Sequence, residues 1–390
     1  MIGTLFSDFD ESVDEESESK GNIDAFTALN VGTRDWTVGT IVDQIKKGNI
    51  DLDPAFQRRS AWNDQKRSRF IESLILGVPI PQIVLAEQPG ERGKFIVIDG
   101  KQRLLTLASL TMEKYSFWDK PKFQDINTIE DLDGKTIEEF TSSDKFKEER
   151  RFFENAPIRC AVLAGTNDKD VFYDIFYRLN SGAVPLSGQE LRQVFYKGHF
   201  ARYLFDVTNT IGPIHQVLGL TQSDPRLFDI ELLLRYFAIR LALVPYRGDL
   251  RAYLDLTMKT VTDEWARYKP IIENLYGELS ELLLSIDSYM GYNKIGRRYT
   301  SGRLQRRFNK AVFDVQVYYL SLVPKESLTP ESKERFETAF SGLCDDADFR
   351  ASVEATTKSI PRFELRFRKF RELVNDVFSL RIVDAPLVAE

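Results

Sequence analysis

The run Lys94-Phe95-Ile96-Val97-Ile98-Asp99-Gly100-Lys101-Gln102-Arg103-Leu104-Leu105-Thr106-Leu107-Ala108 changes period at a single glycine. Phe95 to Ile98 reads as a buried strand, and Leu104, Leu105, Leu107, Ala108 and Leu110 form a helix too apolar to be anything but internal. Lys101 and Arg103 fall in the first turn of that helix. The unpaired N–H groups and the macrodipole already present positive charge there, so each cation is unfavourable by roughly 0.3–1 kcal/mol. An anion at the turn reverses the sign. A strand, a glycine and a helix start make the general construction of a phosphate site, and an arginine fork adds bidentate contacts. A second reading uses the same residues without a ligand: Asp99 and Gln102 form a capping box, Gly100 serves the tight turn, and Lys101 and Arg103 point into water.

Upstream, Gln82–Ala86 is a second apolar run, joined to the first through Pro89, Gly90 and Gly93, and the two read as a hairpin. Before it, Phe70, Ile71, Leu74 and Ile75 recur at helical spacing between Asn63, a candidate N-cap, and Gly77, where C-cap chemistry ends the helix; Pro79 and Pro81 prevent its resumption. Thr37–Lys47 reads as a short helix and Asn49–Pro54 as an extended segment ending in a turn. Downstream, residues 113–155 are highly charged with weak periodicity and read as an insertion. Ile158–Leu163 then returns as a strand, in which Cys160 is a buried small hydrophobe and not a nucleophile. From about Ala201 the periodicity is helical, with long segments at Asp224–Val244, Glu264–Met290 and Leu304–Leu322. The expected fold class is α+β: a domain with a small mixed sheet over residues 23–200, then a mainly α-helical domain over residues 201–390.

The chain of 390 residues carries two cysteines, Cys160 and Cys344, and two histidines, His199 and His215. That leaves little material for zinc sites, disulfide frameworks or histidine-based metal nucleases. No membrane span or secretory signal is expected, and the expected compartment is a reducing cytoplasm. The net charge of −6 sits in one place: residues 1–22 hold seven acids against Lys20, leaving 52 of the 59 acids and 52 of the 53 bases for the rest. Such an acidic tail is expected to be disordered.

The residues Asp53-Pro54-Ala55-Phe56-Gln57-Arg58, Trp62, Leu76-Gly77-Val78-Pro79-Ile80-Pro81 and Ile98-Asp99-Gly100-Lys101-Gln102-Arg103-Leu104 resemble the N-terminal domain of GmrSD-type modification-dependent restriction systems. That domain is ParB/sulfiredoxin-like, with an Asp-Gly-Gln-Gln-Arg hallmark. Phe176-Tyr177-Arg178-Leu179-Asn180-Ser181-Gly182, Leu186 and Glu190-Leu191-Arg192 resemble the family's Arg-x-Asn-x-Gly turn and the helix after it. The resemblance implies a site that binds and hydrolyses a nucleoside triphosphate as part of defence against phage with modified DNA; phosphoryl transfer relies on positioning and charge neutralisation, so Mg2+ is expected with it. Asp99, Gly100, Gln102 and Arg103 would face the phosphates, with Gln57 and Arg58 as companions. Arg178 and Asn180 would line the same pocket, although Asn180-Ser181-Gly182 also suits a plain turn. Lys101 departs from the usual Gln. Asp99 is the candidate for holding Mg2+ or positioning water. The family's nuclease domain has a His-Asn-His core, and no histidine follows His215, so cutting by that motif is assigned to a separate partner.

Two stretches concentrate positive charge. Lys294–Lys310 carries Arg297, Arg298, Arg303, Arg306 and Arg307 with no acid, and Arg362–Arg371 carries four arginines and Lys369 against Glu364 alone. They suit phosphate-backbone contacts with DNA, or else solvated faces neutralised by acids elsewhere in the fold. Gly291–Arg298 has the glycine spacing of a P-loop but lacks its Lys-Ser/Thr pair, so it is not one. The function expected from these observations is an NTP-hydrolysing regulatory subunit that works with DNA and a separate nuclease. The alternative is a nucleotide-gated ParB-like DNA-binding module that never turns over. Self-association of the chain is left open.

Overall fold

The structure is a computed structural model, and it describes residues 29–52, 62–88, 90–112, 118, 120–166, 171–175, 187–354, 359–383 and 385. The chain divides into two compact units that part between Ser187 and Gly188.

In the first unit, strand β1 (Asn30–Thr37) passes directly into helix α1 (Val38–Lys46), whose start is fixed by the Thr37 hydroxyl accepting the Thr40 N–H at 3.1 Å. Helix α2 (Asp64–Ile75) is capped in the same way by Asn63, whose side chain accepts from the Lys66 N–H at 2.9 Å. It ends where Gly77 turns left-handed at φ 68°, letting the N–H groups of Val78 and Gly77 reach back to the carbonyls of Ser73 and Leu74 at 2.9 and 3.2 Å. That paired return needs a residue without a Cβ penalty. Strands β2 (Ile83–Glu87) and β3 (Phe95–Asp99) pair antiparallel, as the hairpin reading requires. Helix α3 (Lys101–Ser109) leaves the end of β3. Helices α4 (Ile137–Ser142) and α5 (Lys147–Asn155) lead to strand β4 (Pro157–Ala164).

The sheet order is β1-β4-β2-β3, with β4 parallel to β2 and antiparallel to β1, so the sheet is mixed. The parallel pair needs a long crossover, which residues 100–156 supply. The stretch read as a charged insertion lies inside this crossover, and Phe123, Ile126, Leu132, Phe140, Phe146 and Phe153 enter the same core as Ile71, Leu85 and Leu104. Its main chain is tied to α2 by buried side chains. Three N–H groups, from Asn127, Thr128 and Ile129, converge on Glu72 Oε1 at 3.2, 2.8 and 3.4 Å, and the Lys120 N–H meets Asp64 Oδ2 at 2.9 Å. Three main-chain donors on the one Glu72 carboxylate make it acceptable to keep that charge inside.

The second unit is mainly helical: α6 (Gly188–Phe195), α7 (His199–Thr208), α8 (Pro213–Leu218), α9 (Phe228–Leu241), α10 (Leu250–Asp263), α11 (Trp265–Met290), α12 (Lys310–Leu320), α13 (Pro330–Asp345), α14 (Ala347–Glu354) and α15 (Ile360–Phe378). Buried ion pairs join its helices. Arg235 Nε donates to Asp314 Oδ1 at 3.1 Å between α9 and α12, and Arg192 Nε donates to Asp255 Oδ1 at 2.7 Å between α6 and α10. The helix expected from Leu304 begins only at Lys310, with the Asn309 side chain accepting the Val312 N–H at 2.9 Å. The residues before it form a two-stranded ribbon, β5 (Tyr299–Thr300) and β6 (Arg303–Leu304). Ser301 and Gly302 connect the strands at φ 49° and 72°, the paired positive values of a type I′ hairpin turn. No helix among the described residues is long and apolar enough to cross a membrane.

Candidate functional site

The end of β3 is irregular. Leu85 of β2 faces Val97, but the next residue, Val84, faces Asp99, so β3 carries one extra residue at Ile98–Asp99. Such a bulge re-aims the side chain at its end. Gly100 follows at φ 95°, ψ 12°, and it occupies the N-cap position of α3 with no side-chain cap hydrogen bond. The capping box between Asp99 and Gln102 is therefore absent, because the helix starts one residue later than a box on Asp99 demands. The glycine is needed twice over. Its φ is left-handed, and a Cβ there would lie 3.0 Å from Ile83 Cγ1 and 3.2 Å from Arg103 Nη2.

Arg103 does not point into water either. Its side chain is 10% exposed and folds back over Gly100, so that Nη2 donates to Asp99 Oδ2 at 2.8 Å and Nη1 donates to the Pro81 carbonyl at 3.1 Å. Asp99 is 39% exposed. The anion that offsets Arg103 in the first turn of α3 is thus a side chain four residues back, one helical turn away. A guanidinium carries five N–H groups, two of which are engaged in this way; the other three have no protein acceptor among the described residues. Gln102 Oε1 accepts the Trp62 N–H in a long 3.4 Å contact. Lys101 is half-buried beside it. Pro81 and Ile83, against which Arg103 and Gly100 pack, were not legible as site residues: Pro81 reads in the sequence as a helix stop and as part of the run that carries the resemblance, with no contact assigned to it.

Gln57, Arg58, Arg178 and Asn180 lie outside the described residues. Among the described residues no group of three or more His, Cys, Asp or Glu side chains could hold a metal. Mg2+ is commonly held by one or two carboxylates together with substrate phosphates, and Asp99, partly exposed at the mouth of the turn, fits that sparse donor set. Bound there, Mg2+ would neutralise phosphate charge beside Arg103.

The five arginines of the Lys294–Lys310 stretch divide into two sets. Arg297 Nη1 donates to the carbonyls of Val217 and Ile295 at 3.1 and 2.9 Å, and its guanidinium lies 5.6 Å from the Phe308 ring centroid. Arg298 pairs with Glu354. Arg303, Arg306 and Arg307 are exposed. In the second basic stretch Arg366 is fully buried, donating to the Ser352 carbonyl at 3.3 Å, and Lys369 pairs with Asp346 at 2.6 Å, so part of that charge is structural.

His215 is buried, with Nδ1 accepting the Gly212 N–H at 3.1 Å and Nε2 facing Asp229 Oδ2 at 3.0 Å and the Thr208 carbonyl at 3.1 Å. It fastens α8 to its surroundings. Burial pushes the thiols of Cys160 and Cys344 up to about 11, which keeps them protonated and unreactive at neutral pH.

No curated protein and no solved structure matches the chain significantly. A family match covers residues 38–197, and the family is described as the GmrSD restriction endonuclease, N-terminal domain. The matched span begins at α1, includes the bulge, Gly100 and Arg103, and stops well short of the β5–β6 ribbon. Residues 38–197, and with them the β3–Gly100–α3 junction, thus match the GmrSD restriction endonuclease N-terminal domain family.

Proposed function

We propose that the chain is a nucleotide-binding, NTP-hydrolysing regulatory or sensor subunit of a restriction system, in which a separate subunit cuts the DNA. The family match supports the role in a restriction system. The observation that carries the nucleotide is Arg103: it is a buried guanidinium fixed over a left-handed glycine at a helix start that no side chain caps. Such a start presents N–H groups and the positive end of a dipole to an anion. Asp99 and the Pro81 carbonyl each hold one arm of the fork, so an incoming phosphate meets an arginine already positioned. Phosphoryl transfer depends chiefly on positioning and charge neutralisation, which an arginine, backbone N–H groups and Mg2+ at Asp99 supply together.

The second reading, a nucleotide-gated DNA-binding module without turnover, is favoured by Lys101 at the position of the hallmark's glutamine and by the bond that already engages Asp99. The test is phosphate release from nucleoside triphosphates by the purified full chain with Mg2+. Release that Arg103→Ala abolishes supports the enzyme. Tight binding without release supports the switch, and neither binding nor release, with and without DNA, removes both.

A further inference from the structure

We infer that the β5–β6 ribbon is a contact for the backbone of duplex DNA, made by Arg303, Arg306 and Arg307, with Arg297 and Arg298 as its internal struts. The inference rests on the proposed role in DNA restriction and assigns the surface that meets the DNA.

Three observations converge. First, the charge is sorted. Glu337, Glu354 and Glu231 pair with Lys294, Arg298 and Lys310, while Arg297 is turned onto main-chain carbonyls. The positive charge that reaches solvent from this stretch is therefore gathered on Arg303, Arg306 and Arg307, and neither Arg303 nor Arg306 makes an ion pair among the described residues. A solvated face whose charges were balanced by the fold would have used nearby acids for Arg303 and Arg306 as it did for Lys294, Arg298 and Lys310.

Second, the ribbon is tied down at its base by hydrogen bonds and packing. The Gln305 N–H donates to the Arg298 carbonyl at 2.9 Å and the Asn309 N–H to the Gly296 carbonyl at 2.7 Å, closing the base of the loop. Gly296 packs so closely under Phe308 that a Cβ would come within 2.2 Å of the ring, and its N–H is held by Gln316 Oε1 at 2.7 Å. The Tyr299 ring meets Phe340 of α13 edge-on at 6.0 Å. A contact surface ordered beforehand loses little entropy on binding.

Third, the chemistry suits phosphate contact. The exposed side chains offer guanidinium forks, which suit phosphate oxygens, and two-stranded ribbons are an established way of approaching duplex DNA. Asp345 accepts the Ser301 N–H at 3.2 Å at the tip, a carboxylate that disfavours phosphate at the turn itself and leaves the contact to the exposed arginines that follow it.

The test is fluorescence polarisation of labelled 30-base-pair duplexes with the full chain over a salt series, alongside phosphate release by the same preparations. Each single arginine-to-alanine change should lower affinity about eightfold at 0.1 M salt and flatten the log–log salt slope by about one, alike on unrelated sequences. The triple lysine variant should retain most of the binding, and Arg368→Ala, an exposed arginine of α15, should change nothing. Phosphate release without DNA should be unaffected in all of them. Wild-type binding that the triple alanine variant reproduces overturns the assignment while release still reports on the proposed function. Preference for single strands, or for a synthetic peptide of residues 1–22, over the duplex at equal ionic strength also overturns it.

Discussion

Arg103 is the residue on which the site turns, because its fork ties Asp99 at the end of β3 and the Pro81 carbonyl to the first turn of α3. Arg103→Ala should abolish phosphate release and cost about 1.5–3 kcal/mol in a urea titration, the range for hydrogen bonds from a charged group. Gly100→Ala should cost about 1–2 kcal/mol for the left-handed φ alone, plus the push on Ile83 and Arg103. A midpoint equal to wild type would show that the turn relaxes freely. The buried thiols give a pH prediction. Each has its folded pKa raised by burial, from 9.0 to about 11, so the unfolded chain loses these protons first. Their contribution to stability is whole below about pH 9 and is lost as pH rises toward 11, and the native protein should leave both thiols unmodified by iodoacetamide at pH 8. Here the sequence showed that two cations at a helix start needed an anion. It could not show that Asp99 already supplies part of that charge, because the bulge that aims Asp99 depends on pairing with β2.

Elements whose ends obey local chemistry were readable: Thr37, Asn63 and Gly77 stop or start their helices where capping rules place them. Strand β1 was not, since it is an edge strand exposed along nearly its whole length and so lacks the period-two alternation that marks a half-buried strand. The β5–β6 ribbon was masked in the same way, by apolar residues of the following helix that extended the helical pattern back to Leu304; Ser301-Gly302 was the available signal. Pairings between helices were also out of reach, because Arg235 and Asp314 are 79 residues apart in the chain. Both are buried to 1% exposure. Asp314→Ala leaves that arginine without its carboxylate, and a loss of about 3–5 kcal/mol is expected by calorimetric or urea unfolding. A loss under 1 kcal/mol would mean that Glu231, 3.7 Å from Arg235 Nη1, takes over the charge.

Across the molecule, the proposal divides function between the two units: one, largely covered by the family match, with the proposed phosphate grip, and a helical one with the proposed DNA contact. Composition made the α+β class and the helical second half legible, since strand and helix periods change sides near residue 200. The net charge of −6, by contrast, belongs entirely to residues 1–22. Deleting them should raise duplex affinity at low salt and leave the difference small at 0.5 M, where screening shortens the Debye length to a few ångströms, about 4. The account's central claim is the phosphate grip at Gly100. It is tested most directly by calorimetric titration of the four ribonucleoside triphosphates with Mg2+ into the full chain and into Arg103→Ala. Saturable heat from at least one nucleotide, absent in the variant although it still unfolds cooperatively, is the predicted result. A wild-type protein that unfolds cooperatively but gives no heat with any of the four would contradict it.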